Sequence, residues 1–175
     1  MSDGLTHLDA QGRARMVNVG EKAVTHRVAI ARCEVHMAAE TLERIAQGTL
    51  PKGDVLATAR LAGIQAAKRT DEWIPLCHSL PLDGVSIELT PDPAGPCVRI
   101  EARAEVHAKT GVEMEALVAV SAAALTLYDM CKAVDRAMLV QAVRLVEKRG
   151  GRSGDWRRPG EPQVGVPGGA RPGGG

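Results

Sequence analysis

Apolar and polar positions change period several times along this chain, and each change marks an element. From Arg27 to Met37 the run RVAIARCEVHM sets Ala29, Ala31, Cys33, Val35 and Met37 against Arg32, Glu34 and His36. A period of two predicts a half-buried strand. Residues 38–48, AAETLERIAQG, predict a short helix stopped by Gly48. A second helix is predicted over about residues 54–69, with Asp54 as its N-cap. Its apolar positions are small (Ala57, Ala59, Ala62, Gly63, Ala66 and Ala67), and Lys68 and Arg69 close it. Side chains of that size let a neighbouring backbone come close. Residues 85–91 and 97–107 alternate again, and the PDPAG between them is turn chemistry, so the two form a hairpin. Residues 112–134 are apolar nearly all round, which predicts a deeply buried helix. Residues 138–148, MLVQAVRLVEK, make a last strand.

Strand, two helices, hairpin, helix, strand is the split βαβ order of a ferredoxin-like α+β fold: an antiparallel sheet packed by helices, here with one extra helix. Residues 1–26 are polar and mixed and read as an N-terminal arm. Residues 27–158 form the folded domain, and 159–175, rich in Pro and Gly, read as a disordered tail. This fold hosts many activities, so the chemistry has to be sought in particular residues.

Composition narrows the field. The chain has 175 residues, 45% hydrophobic, yet only 2% are aromatic and none is Phe. Such an aliphatic core buries little area per side chain, and a partner subunit would help to cover it. The net charge of +1 gives no general pull toward nucleic acid or membrane, and two Trp and one Tyr make no ladder for stacking bases. No segment reaches membrane-spanning length, and the first residues, MSDGLTHLDAQG, hold no apolar run. The four cysteines, at 33, 77, 97 and 131, show no C-x-x-C spacing, and H-E-x-x-H is absent. No zinc site is therefore expected, and the cysteines read as free thiols of a reducing cytoplasm.

Several polar residues stand where packing does not ask for them. Asp129 and Lys132 interrupt the long apolar helix, about 60° apart on one face. They fit a surface ion pair and an acid/base pair equally. Glu113 and Glu115 follow Gly111 at the entry of that helix, where carboxylates suit the positive end of the dipole. Cys77 and His78 lie between Pro75 and Pro81, which hold the segment off helical geometry. Such a His can bind an anion or transfer a proton, though a structural His is commoner. Lys52, between Pro51 and Gly53, belongs to no phosphate loop and taken singly reads as a surface lysine.

Read together, KGDVLATARLAGIQAAKRT, IPLCH, KTGVEMEAL, LYDMCKAV and GGRSGD, in this order, resemble the cyclic pyranopterin monophosphate synthase family of molybdenum-cofactor biosynthesis over about residues 5–157. The resemblance implies a lyase. Its substrate would be 3′,8-cyclo-7,8-dihydro-GTP, and its products cyclic pyranopterin monophosphate and pyrophosphate. It implies no cofactor and no metal, and a homohexamer, a trimer of dimers, with sites between subunits. The catalytic aspartate of the family falls on Asp129, and its two lysines on Lys52 and Lys132. Substrate contacts fall on Leu76, Cys77 and His78, and on Met114 and Glu115 with Glu113 beside them; Lys68 resembles a phosphate partner. Lysines set near one another would lower one pKa and supply a base near neutrality. The chain departs from the family at Asn18, where MVDV is usual, at Ser79, where LCHP is usual, and at Gln141-Ala142, where Gly-Pro is commoner. A phosphate-loop enzyme lacks its loop here. A non-catalytic binding protein would leave the gathered charges unexplained.

Overall fold

The computed structural model describes residues 11–162. The elements are β1 (Thr25–His36), α1 (Ala39–Ala46), α2 (Val55–Ala67), α3 (Thr70–Trp73), β2 (Gly84–Asp92), β3 (Cys97–Ala108), α4 (Glu113–Cys131), β4 (Leu139–Arg149) and β5 (Trp156–Arg157). They form one antiparallel sheet in the order β2-β3-β1-β4-β5. The first four strands have the ferredoxin-like order, as the alternating segments predict. The one-turn α3 and the two-residue β5 are too short to leave a periodic signal.

Alternation along β1 sends Ala29, Ala31, Cys33 and Val35 into the main core, under the helices. Val28 and Ile30 are buried too, with Val146, in a smaller cluster of their own. The strand is therefore exposed at Thr25 and His26, covered on both faces from Val28 to Ala31, and half-buried further along.

The small residues of α2 have a structural cause. A Cβ built on Gly63 would lie 2.8 Å from the backbone oxygen of Ala119 in α4. Ala66 of α2 packs with Val118 and Ala122 of α4. The two helices touch nearly backbone to backbone. Asp54 caps α2 by accepting from the Ala57 N–H at 2.9 Å.

In length and composition α4 does suit a membrane span, contrary to the expectation from sequence. Its buried residues include Ala116, Ala119, Val120, Ala123 and Leu127, and they pack in the main core, so it is a core helix.

Glu161 lies beyond the boundary expected at residue 158. Its carboxylate meets Arg32, at 2.8 Å, and Arg144. The chain therefore docks on the sheet at least as far as Glu161. The rest of the expected tail, 163–175, and the start of the arm, 1–10, lie outside the described residues.

Candidate active site

Two groups of side chains form at opposite ends of α4. At its C-terminal end, Asp129 stands between two lysines. Lys132 Nζ is 2.6 Å from Asp129 Oδ1, and Lys52 Nζ is 2.9 Å from Oδ2. Hydrogen bonds from Lys132 and Lys52 pull the Asp129 carboxyl down to about 2. The same contact pushes Lys132 above the ordinary lysine range. The lowered lysine pKa expected from crowded cations is thus absent at Lys132, because a carboxylate separates it from Lys52. All three side chains are about half exposed. An open groove of about 450 Å³ starts at Asp129 and runs between α2 and α4 past Leu125 and Ala66 to Arg69 and Trp73.

At the other end, a cavity of about 340 Å³ is lined by Leu76, Cys77 and His78, and by Glu113, Met114 and Glu115. Pro75 and Pro81 keep the 76–78 segment out of regular structure. Cys77 and His78 can then both face the cavity, which a regular strand would forbid. His78 Nε2 lies 2.9 Å from the Val17 carbonyl oxygen. Glu115 is only 3% exposed, and burial pushes its carboxyl up to about 7, with Glu113 and Asp71 adding to the shift. Burial also pushes the Cys77 thiol up, helped by Glu115 and Asp71, so the thiol stays neutral. Gly111 leaves room for the Glu113 carboxylate, which a Cβ there would push aside.

The sequence reading missed part of this wall. Val17, Val19 and Lys22 of the N-terminal arm line the cavity. The only sequence signal was the MVNV stretch. Its departure is benign, because Asn18 Oδ1 accepts from the Gly20 N–H at 2.8 Å, a bond aspartate makes equally well. At Ser79 the hydroxyl donates to Asp71. Lys68 caps α2 and is exposed, with no side-chain bond found among the described residues.

The structure does not join the two groups within one chain. Fourteen residues of α4 separate Glu115 from Asp129, about 21 Å along the helix axis. One cluster has the cations to meet phosphates and move protons. The other has an apolar wall, a buried acid that changes charge near pH 7 and a His, suited to a polar ring system.

Comparison with known proteins agrees with the sequence reading. The family model described as the MoaC family matches residues 16–151. A cyclic pyranopterin monophosphate synthase from Chloroflexus aurantiacus is 64% identical over 155 residues, 89% of this chain and 95% of that protein. Proteins of the same name from Thermomicrobium roseum and a Nostoc species are each 59% identical, over 154 and 158 residues, covering 88% and 90% of this chain and 93% and 94% of theirs.

Proposed function

This chain belongs to the MoaC family, and we propose that it acts as a cyclic pyranopterin monophosphate synthase, a lyase of molybdenum-cofactor biosynthesis. Its substrate is 3′,8-cyclo-7,8-dihydro-GTP. The purine is rearranged to a pyranopterin, the phosphate next to the sugar closes into a ring, and pyrophosphate leaves. The observation that carries the reading is the Lys52–Asp129–Lys132 cluster, formed by the three residues the family resemblance singles out.

The roles follow from charge. An aspartate held near 2 is a weak base while both lysines bind it. An incoming triphosphate competes for those lysines and offsets the charge of the departing pyrophosphate. Releasing Asp129 from its partners raises its basicity and lets it exchange protons with the rearranging ring. Glu115 and Glu113 accept from the amino and ring N–H groups of the base, His78 serves an anion or a proton, and Leu76, Cys77 and Met114 form the wall. Lys68 binds phosphate.

The 21 Å gap, about the same along α4, is closed by a second subunit. A working site combines the lysine–aspartate cluster of one chain with the cavity of another. The exposed apolar Trp73 and Leu125 lining the groove fit burial against such a partner. The assembly is a hexamer of three dimers, and the protein is cytoplasmic, in keeping with four free thiols.

Incubation of the purified protein with 3′,8-cyclo-7,8-dihydro-GTP tests the reaction. Stoichiometric pyrophosphate and a pterin product are expected, with none from GTP. No pyrophosphate from the cyclic substrate would overturn the assignment.

A further inference from the structure

A second constellation lies away from both groups. On β1, Glu34 and His36 are two residues apart and share a face, and antiparallel register sets Cys97 of β3 directly opposite His36. A carboxylate oxygen of Glu34, a ring nitrogen of His36 and the Cys97 sulfur all lie within 4.8 Å of one another. We propose that Glu34, His36 and Cys97 form a binding site for a divalent late-transition-metal ion, zinc above all, which pins the end of β1 to the start of β3.

The donor set argues for that class of ion. One thiolate, one imidazole and one carboxylate suit Zn²⁺ or Co²⁺, whereas Mg²⁺ and Ca²⁺ want oxygen alone. A 2.8 Å hydrogen bond already brings Glu34 Oε2 and His36 Nε2 together on the sheet face. The other oxygen of that carboxylate, Oε1, faces the Arg144 guanidinium at 4.0 Å, which orients it.

The flanking cations are partly offset by carboxylates. Arg99, which also touches the Cys97 thiol, pairs with Asp92, and Arg144 pairs with Glu161, which Arg32 holds as well. Burial, Glu34 and Asp92 push the Cys97 thiol up, so the surroundings already disfavour a lone thiolate there. A bound cation reverses that balance. Cys97 is only 2% exposed, but His36 and Glu34 are part-exposed and give an ion a way in.

Binding breaks the S–H bond of Cys97 and forms a sulfur–metal bond, and the proton goes to solvent. His36 Nε2 and Glu34 Oε2 share a hydrogen bond in the metal-free chain; on binding that bond breaks, the imidazole proton sits on Nδ1, Nε2 takes the metal and Glu34 binds through a carboxylate oxygen. No electrons change hands, and solvent fills the fourth position.

The test is titration of the untagged, full-length protein with Co²⁺ under a non-coordinating reductant. One equivalent per chain should give a near-ultraviolet sulfur-to-cobalt charge-transfer band and tetrahedral visible bands, both lost on adding Zn²⁺. Cys97→Ser should lose the charge-transfer band, while Cys77→Ser keeps it. Glu34→Gln and His36→Gln, checked for wild-type circular dichroism, should each weaken Co²⁺ binding by at least about tenfold. No band in the wild type, or a band that survives in Cys97→Ser, would overturn the proposal.

Discussion

Lys52 grips Asp129 twice. Its Nζ lies 2.9 Å from the side-chain oxygen Oδ2 and 2.9 Å from the backbone carbonyl oxygen of the same residue. That carbonyl belongs to the last turn of α4, where oxygens lack an intrahelical partner and the helix dipole is negative. A loop lysine 77 residues away in sequence thus caps the helix end and fixes a carboxylate. The turn that brings it there needs Gly53, at φ 86°. In the proposed reaction, substrate phosphates would compete with α4 for this one cation and so free Asp129.

Asp129→Asn is expected to lower kcat by roughly 10²–10⁴-fold while leaving folding and assembly intact. The side chain is half exposed, so little packing is lost. Steady-state pyrophosphate release from the purified variant checks this. Near-normal turnover would make the residue structural.

Glu115 sets a pH dependence. Its carboxyl titrates at about 7 when folded against an ordinary value of 4.5. The folded state therefore holds more protons than the unfolded chain between those values, and stability falls as pH rises from 4.5 to 7. The loss amounts to at most about 3 kcal/mol. Glu115→Gln should melt with a smaller loss across that window, gaining on the wild type as pH rises. A constant difference between pH 4.5 and pH 8 in thermal melts would contradict the buried acid. For the wild-type enzyme, KM should rise as pH falls below about 7, since a protonated Glu115 accepts poorly from substrate N–H groups.

Ala142 is the one non-glycine among the described residues with a positive φ, 55°. It sits where β4 slips register against β1, between the Arg32–Arg144 and Glu34–Gln141 pairs. A Cβ is strained there, so Ala142→Gly should raise stability by about 0.5–1 kcal/mol. Chemical denaturation of the two proteins measures it, and a destabilised variant would show that the bulge is unstrained.

β1, β2 and β3 were legible because they alternate, α4 because it is apolar nearly all round, and α2 because a cap and a run of small helix-forming residues mark it. Asp54 and Gly48 marked helix boundaries through local chemistry alone. Pairing was not legible. The Glu34, His36 and Cys97 cluster depends on register, and residues brought together across strands leave no spacing for a motif search to find. Glu161 was hidden differently: a charged residue in a Pro/Gly-rich run looks solvated until two arginines on the sheet are seen to meet it. The candidate residues were named from the sequence, and the helix predicted over 112–134 already put Glu115 and Asp129 far apart; the unbroken α4, Glu113–Cys131, keeps them so.

That separation makes a prediction about assembly. If each working site draws Lys132 from one chain and His78 from another, the two residues can be damaged on different subunits without spoiling every site. Lys132→Ala and His78→Ala should each be nearly inactive alone. The two are mixed in equal amounts, dissociated and reassembled. A mixed pair of subunits then holds one site with both lesions and one with neither. Random pairing makes half the dimers mixed, so about a quarter of wild-type activity should return. If each chain carries a complete site, every site keeps one lesion and the mixture stays inactive. Native mass spectrometry of the mixed oligomers separates that outcome from failed exchange. Inactivity with mixed oligomers present would refute the shared site for this pair while leaving the reaction assignment standing.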